Sequence, residues 1–257
     1  MILIGERINT GFKEIKQAVL DKDPGPIQDW ARKQTEAGAD FLDVNLGAVS
    51  SKAEDMCWMI ESVQEVVDTL ISIDTNKPKI LAEAIKVCKK PPLINSTTAA
   101  AEKLDAIMPI AAEYNASVIG VVMDESGTPK NADQRVENAG LIMAKAMEVG
   151  LPSDSVYLDP IVMPLKFMQD QAQQVLAAVS QFKLFSDPPP HVACGLSNVS
   201  SGTIHKKLIN RIFLVMAIAC GMDAAICDVM DTELVNAART AELIMNKEIY
   251  ADSYVRQ

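Results

Sequence analysis

Short runs of consecutive apolar residues alternate with longer stretches of helical periodicity from one end of the chain to the other. The runs predicted as strands begin near Ile2, Asp40, Leu70, Pro92, Ser117, Val156, His191 and Asp223. Their mean spacing is roughly 32 residues, close to one eighth of a (β/α)8 barrel of ~250 residues. Most are unbroken, as in Val118-Ile119-Gly120-Val121-Val122, the pattern of a parallel sheet covered on both faces. Three joints support this architecture: Ala37-Gly38-Ala39, Tyr114-Asn115-Ala116 and Cys220-Gly221-Met222 each lead straight into a predicted strand. Gly or Asn just past a helix end is the chemistry of a short helix-to-strand loop. Asp23-Pro24 reads as an N-cap and first-turn proline for the helix carrying Trp30. The proline cluster Asp187-Pro188-Pro189-Pro190 reads as a stiff lead-in to the seventh strand. No segment reads as an inter-domain linker, so residues 1–257 are expected to form one α/β domain, a (β/α)8 TIM barrel. The competing architecture is a doubly wound open sheet; against it, no G-x-G-x-x-G follows the first strand.

A chain of 257 residues that is 49% hydrophobic buries a large core without needing metals or disulfides. Its 24 basic and 34 acidic residues leave a net charge of −10, which repels nucleic acid and anionic membrane surfaces alike. Ile2-Leu3-Ile4 runs directly into Gly5-Glu6-Arg7, unlike a secretory leader, and no apolar run reaches the ~20 residues of a membrane span. The expected location is cytoplasmic. Five cysteines without a C-x-x-C pair make a poor disulfide framework.

The working face of such a barrel is built where the strands end. Read in order, the predicted exits carry Glu6, Arg7 and Asn9; Asp43 and Asn45; Asp74; Asn95-Ser96; Asp124; Asp159; Ser197-Asn198; and Asp228. Each strand closes on a polar side chain, mostly carboxylate or carboxamide, and the opposite ends suggest no comparable set. With two histidines, His191 and His205, and no H-x-H or H-E-x-x-H, a zinc hydrolase is not expected. No lysine stands where a Schiff-base enzyme needs one. The acidic loop Asp228-Val229-Met230-Asp231 does not cradle phosphate. Asp43, Asp74, Asp159 and Asp228 could hold Mg²⁺, but nothing requires it, and no metal is expected.

Carboxylates and carboxamides together suit a planar heterocycle. A carboxylate accepts parallel N–H bonds from an amino group and the adjacent ring nitrogen, and a carboxamide sets one donor beside one acceptor. Charge-assisted bonds of this kind contribute roughly 1.5–3 kcal/mol each. The chemistry points to an aminopyrimidine-like edge, a class that includes pterins and nucleobases.

The ordered segments Ile4-Gly5-Glu6-Arg7-Ile8-Asn9, Leu42-Asp43-Val44-Asn45-Leu46-Gly47, Ser72-Ile73-Asp74-Thr75, Ile94-Asn95-Ser96-Thr97, Leu158-Asp159-Pro160 and Gly195-Leu196-Ser197-Asn198-Val199-Ser200 together resemble the methyltetrahydrofolate:corrinoid protein methyltransferases. The likeness spans essentially the whole chain. It is greatest to the small stand-alone enzymes serving the corrinoid/iron-sulfur protein and anaerobic demethylase systems. It implies that the substrates are tetrahydrofolate or 5-methyltetrahydrofolate and a corrinoid (cobalamin) carried by a partner protein, in either direction of transfer. It further implies that Asp74, Asn95 and Asp159 bind the pterin edge and that Asn198 reaches N-5. Gly195 and Ser197 lie beside Asn198, and Glu6, Asp43 and Asn45 would support the pocket floor. Asn198 and Asp159 are the candidate catalytic residues. Where some relatives carry Arg-Pro, this chain has His205-Lys206-Lys207, so Lys206 keeps the charge without the bidentate fork. Relatives are homodimers, which implies the same here. Two rival functions are a dihydropteroate synthase, which should show a lysine on strand seven and a basic pair near strand eight, and a folate-binding module without turnover. The methionines and the tryptophans Trp30 and Trp58 read as packing.

Overall fold

The structure, a computed structural model, describes residues 1–250. Among these residues eight parallel strands alternate with helices in a single barrel. The strands are β1 (Ile2–Asn9), β2 (Phe41–Asn45), β3 (Leu70–Asp74), β4 (Leu93–Thr98), β5 (Ser117–Val121), β6 (Val156–Asp159), β7 (His191–Val192) and β8 (Ala224–Cys227). The α-helices are α1 (Lys13–Asp21), α2 (Gly25–Glu36), α3 (Ala53–Gln64), α4 (Pro78–Ala84), α5 (Ala101–Glu113), α6 (Ala132–Glu148), α7 (Gln171–Phe182), α8 (Lys206–Cys220) and α9 (Thr232–Ile244). Hydrogen-bonded neighbours run β7-β6-β5-β4-β3-β2-β1-β8. The seam between β7 and β8 is closed by a parallel bridge from Gly195 to Ile226, with the Ile226 N–H donating to the Cys194 carbonyl at 2.8 Å. The open-sheet alternative is thereby excluded.

Period-two alternation divides each strand between two cores. Leu3, Leu42, Val44, Ile71, Ile73, Ile94, Val118 and Leu158 point outward into the layer shared with the helices. Ile4, Phe41, Leu93, Ile119, Tyr157 and Ala224 form a separate cluster inside the barrel. Both sets are apolar, so the strands read as continuous runs rather than as alternating ones. The three predicted joints adopt left-handed backbone, with φ of +90° at Gly38, +51° at Asn115 and +114° at Gly221.

Some boundaries differ from the sequence expectation. Pro24, not Asp23, is the N-cap of α2, because Asp23 instead folds its Oδ1 back to accept from Gly25 N at 3.0 Å. The opposite rim of the barrel is also less bare than expected. There Asp223 accepts from Lys183 Nζ at 2.7 Å and pairs with His191 Nδ1 at 3.0 Å, while Tyr157 stacks on His191. Those contacts tie the starts of β7 and β8 to the end of α7. Among the described residues no helix is long and apolar enough to cross a membrane, and all five cysteines are free.

Candidate active site

The inward parity that fills the barrel floor with Ile4, Phe41, Leu93 and Tyr157 continues upward into polar residues. Glu6 follows Ile4 by two, Asp43 follows Phe41, Asn95 follows Leu93 and Asp159 follows Tyr157. Thus the same alternation that builds the apolar plug places the carboxyl and carboxamide groups at the mouth. The strand register then lines them up: Asp43 stands level with Ser72, and Asn45, Asp74 and Asn95 form one row across β2, β3 and β4.

These side chains form a connected network. Ser72 Oγ donates to Asp43 Oδ1 at 2.6 Å, and Asn95 Nδ2 donates to the same oxygen at 3.0 Å. Asn45 Nδ2 donates to Asp74 Oδ2, while Asn45 Oδ1 accepts from Gly47 N at 2.7 Å. Gly47 is required here: its φ is +56°, and a Cβ would sit 2.5 Å from Thr10 Oγ1. Burial pushes Asp43 up from the ordinary carboxylate range, and burial together with the Asp43 charge pushes Asp74 up. Two interacting carboxyls out of water ionise less readily than either would alone. A cavity of about 350 Å³ opens beside this row, lined by Asn45, Asp74, Thr75, Lys77, Asn95 and Ser96.

On the other side of the mouth, Ser197 Oγ bonds both carboxylate oxygens of Glu6, at 2.9 and 3.1 Å. Burial raises Glu6 to about 7, with Asp228 and Asp43 adding to the rise and the Ser197 hydroxyl opposing it. Burial also raises Asp159 to about 6, against the pull of the Ile161 N–H and the Arg135 charge. Ile161 N donates to Asp159 Oδ1 at 2.8 Å, leaving Oδ2 without a partner among the described residues. Ser197 and Asn198 do not end a strand as expected. β7 stops at Val192, and the two residues occupy a one-turn 3-10 helix, Leu196–Asn198, beyond the bridge that closes the barrel. The Asn198 carboxamide has no hydrogen-bond partner among the described residues. Gly195 offers no side chain but makes room for that amide, since a Cβ would come within 3.0 Å of Asn198 Nδ2.

Four expected groups lie elsewhere. Arg7 has the outward parity, and its guanidinium stacks over Phe12 at 3.9 Å and Trp30 at 4.2 Å. Asn9 closes a local turn by accepting from Gly11 N at 2.8 Å. Asp124, beyond the end of β5, accepts from Ser126 N and Oγ in an exposed turn. Lys206 begins α8 on the surface, lining a shallow recess with Ile204, His205, Lys207, Leu208 and Arg211. Three contributors escaped the sequence reading. Ser72 was visible as part of Ser72-Ile73-Asp74-Thr75, but its pairing with Asp43 depends on strand register. Arg135 sits inside a helix, and the left-handed backbone of Ile161, φ +63°, has no signature in a β-branched residue.

A cavity of about 880 Å³ lies away from this mouth, in an apolar groove between α7 and α8. Leu208, Ile212 and Met216 project along α8 at every fourth residue and are 60, 54 and 50% exposed.

Residues 5–228 match the family described as pterin binding enzyme. The chain is 30% identical to a methylcorrinoid:tetrahydrofolate methyltransferase of Eubacterium limosum, over 99% of this chain and 94% of that protein. It is 25% identical to the methionine synthases of Mycobacterium tuberculosis and Mycobacterium leprae across 88% of this chain, which is 20% of those longer proteins. Among solved structures, Yersinia pestis dihydropteroate synthase with a pterine-sulfa conjugate superposes with a TM-score of 0.69 at 18% identity, covering 96% of this chain and 94% of that one. A Coxiella burnetii dihydropteroate synthase in complex with pteroic acid gives 0.69 at 16% identity, with the same coverage of both chains. At such identities these two structures share the fold.

Proposed function

This chain belongs to the pterin-binding enzyme family, and from that premise we propose that it moves a methyl group between a corrinoid protein and N-5 of tetrahydrofolate. The direction we take is methylcorrinoid to tetrahydrofolate, the one in the name of the Eubacterium limosum relative. The observation that carries the reading is the mouth itself, a row of carboxyl and carboxamide groups joined by the Ser72–Asp43, Asn95–Asp43 and Asn45–Asp74 hydrogen bonds. An aminopyrimidine edge needs both acceptors and a donor, and this row supplies them. Asp74, Asn95 and Asp159 hold the ring edge, while Asp43, Asn45 and Ser72 fix their orientation.

The corrinoid supplies the methyl–cobalt bond and keeps its electron pair when that bond breaks. As N-5 takes the methyl group it becomes positive and must shed its proton. Asn198, with an unpartnered amide, offers its carbonyl oxygen to that proton as charge develops. Glu6, joined to the same turn through Ser197 and titrating near neutrality, is suited to take it. A dihydropteroate synthase is disfavoured because the loop after β8 is acidic and Arg211 beside it is already paired with Asp231 at 2.6 Å.

We also propose that the protein is a homodimer joined through α7 and α8. The Leu208–Ile212–Met216 ridge, with Ile204 at 92% exposure one turn before it, sets large apolar side chains together on the surface, as interaction sites do. A standard interface takes ~800 Å² per partner. Leu208, Ile212 and Met216 form one wall of the groove between α7 and α8, so a two-fold axis would set the apolar walls of two copies against each other.

The test uses the purified full chain with tetrahydrofolate and methylcobalamin. Titration calorimetry reads folate binding, and corrinoid absorbance with chromatography of 5-methyltetrahydrofolate reads transfer. Binding with transfer supports the proposal. Binding without transfer, with methylated corrinoid proteins also tried, leaves a folate-binding module, and no folate binding overturns the reading.

A further inference from the structure

Arg135 is fully buried, at 0% exposure, although among the described residues it forms no ion pair. Its guanidinium is spent on neutral acceptors: Nε donates to the Pro160 carbonyl at 2.7 Å, Nη1 to the Asn131 carbonyl at 3.1 Å and Nη2 to Gln171 Oε1 at 3.0 Å. Gln171 is itself held, donating through Nε2 to the Lys130 carbonyl at 3.1 Å and to Asp170 Oδ2 at 3.0 Å. A buried, unpaired guanidinium is expensive to keep, and the loop it grips at Pro160 leaves β6 immediately after Asp159.

The Pro160 carbonyl and the Ile161 N–H belong to one peptide group. That group accepts from Arg135 on one side and donates to Asp159 Oδ1 at 2.8 Å on the other. Ile161 itself has a φ of +63°, a conformation that a β-branched residue keeps only where its surroundings enforce it. We propose that Arg135 is the positioning residue of Asp159, acting through the Pro160–Ile161 peptide to aim the carboxylate and to hold it ionised. A cation on the carbonyl polarises the peptide, and its N–H becomes a stronger donor to the carboxylate. The positive charge also acts on Asp159 through space. Cys194 also feels the Asp159 charge, and burial pushes its thiol far up, so it stays neutral.

The consequence for ligand binding rests on the folate reading; the effect on Asp159 does not. The experiment therefore follows the Asp159 carboxyl by carbon-13 NMR in the unliganded full chain, with Asp159→Asn assigning the signal. Arg135→Gln is expected to move its titration upward by on the order of 1 pH unit, whereas Arg135→Lys keeps a charge and moves it less. A folded Arg135→Gln with the wild-type titration overturns the proposal. If circular dichroism shows that Arg135→Gln does not fold, Gln171→Glu sets a carboxylate against Nη2 and should move Asp159 upward too; no movement there overturns it equally. A second readout is the dissociation constant for tetrahydrofolate against pH. Loss of positioning charge displaces the profile to higher pH, with the loss closing as pH rises, whereas simple loosening weakens binding at every pH and counts against the proposal. If the wild type binds no folate, the functional reading fails while the carboxyl titration still judges Arg135.

Discussion

Ser197 and Glu6 are joined by one hydroxyl that reaches both carboxylate oxygens, at 2.9 and 3.1 Å, across 191 positions of sequence. The contact couples the first strand to the turn that carries Asn198, close to the seam where β8 closes the barrel.

That relationship fixes a pH dependence. The hydroxyl stabilises the ionised form of Glu6, so Ser197→Ala should move the titration of Glu6 above about 7. The matching inflection in methyl-transfer rate should shift to higher pH, and Glu6→Gln should abolish it. An inflection that persists unchanged in Glu6→Gln assigns it to another group.

Asp159 is a burden on the unliganded fold. Its value rises from 3.8 unfolded to about 6 folded, so the folded state binds this proton more tightly. Stability falls as pH climbs through that interval. Asp159→Asn should therefore stabilise the ligand-free protein at pH 8 by about 1–3 kcal/mol, and the difference should vanish below pH ~4. The same substitution should weaken tetrahydrofolate binding by about 1–3 kcal/mol, because a charged acceptor becomes an amide. Denaturant unfolding at the two pH values and calorimetry with folate check both signs.

Asn198→Ala should lower kcat far more than it raises the dissociation constant for tetrahydrofolate, since the amide acts chiefly as positive charge develops at N-5. Single-turnover kinetics separate the two. Equal losses would reduce Asn198 to an ordinary binding contact.

Ile212→Asp sets a charge in the middle of the α8 ridge, at a side chain already 54% exposed. Sedimentation should show a dimer for the wild type and a monomer for the variant, with unchanged circular dichroism. A wild type that sediments as a monomer at micromolar concentration removes the proposed interface.

Much of this molecule is legible in its residues one by one. Eight apolar runs at barrel spacing, with Gly38, Asn115 and Gly221 at the joints, point to a parallel sheet alternating with helices, and the Gly195–Ile226 bridge decides that it closes into a barrel. The kinds of side chain at the strand exits, mostly carboxyl and carboxamide, are likewise legible, and such groups suit a planar, nitrogen-rich ring. Direction was not legible. In a strand buried on both faces the inward and outward residues are equally apolar, so nothing in the order Glu6-Arg7 says that one faces the barrel and the other Phe12 and Trp30. Only the closed barrel sets that parity. The partnership of Asp43 with Ser72 depends on register, and that of Arg135 with Asp159 on one peptide group between a helix and a loop. The proton affinities of Glu6, Asp74 and Asp159 follow from burial. Local sequence names the groups; their charge and aim belong to contacts between segments far apart in the chain, which exist only once the barrel has closed.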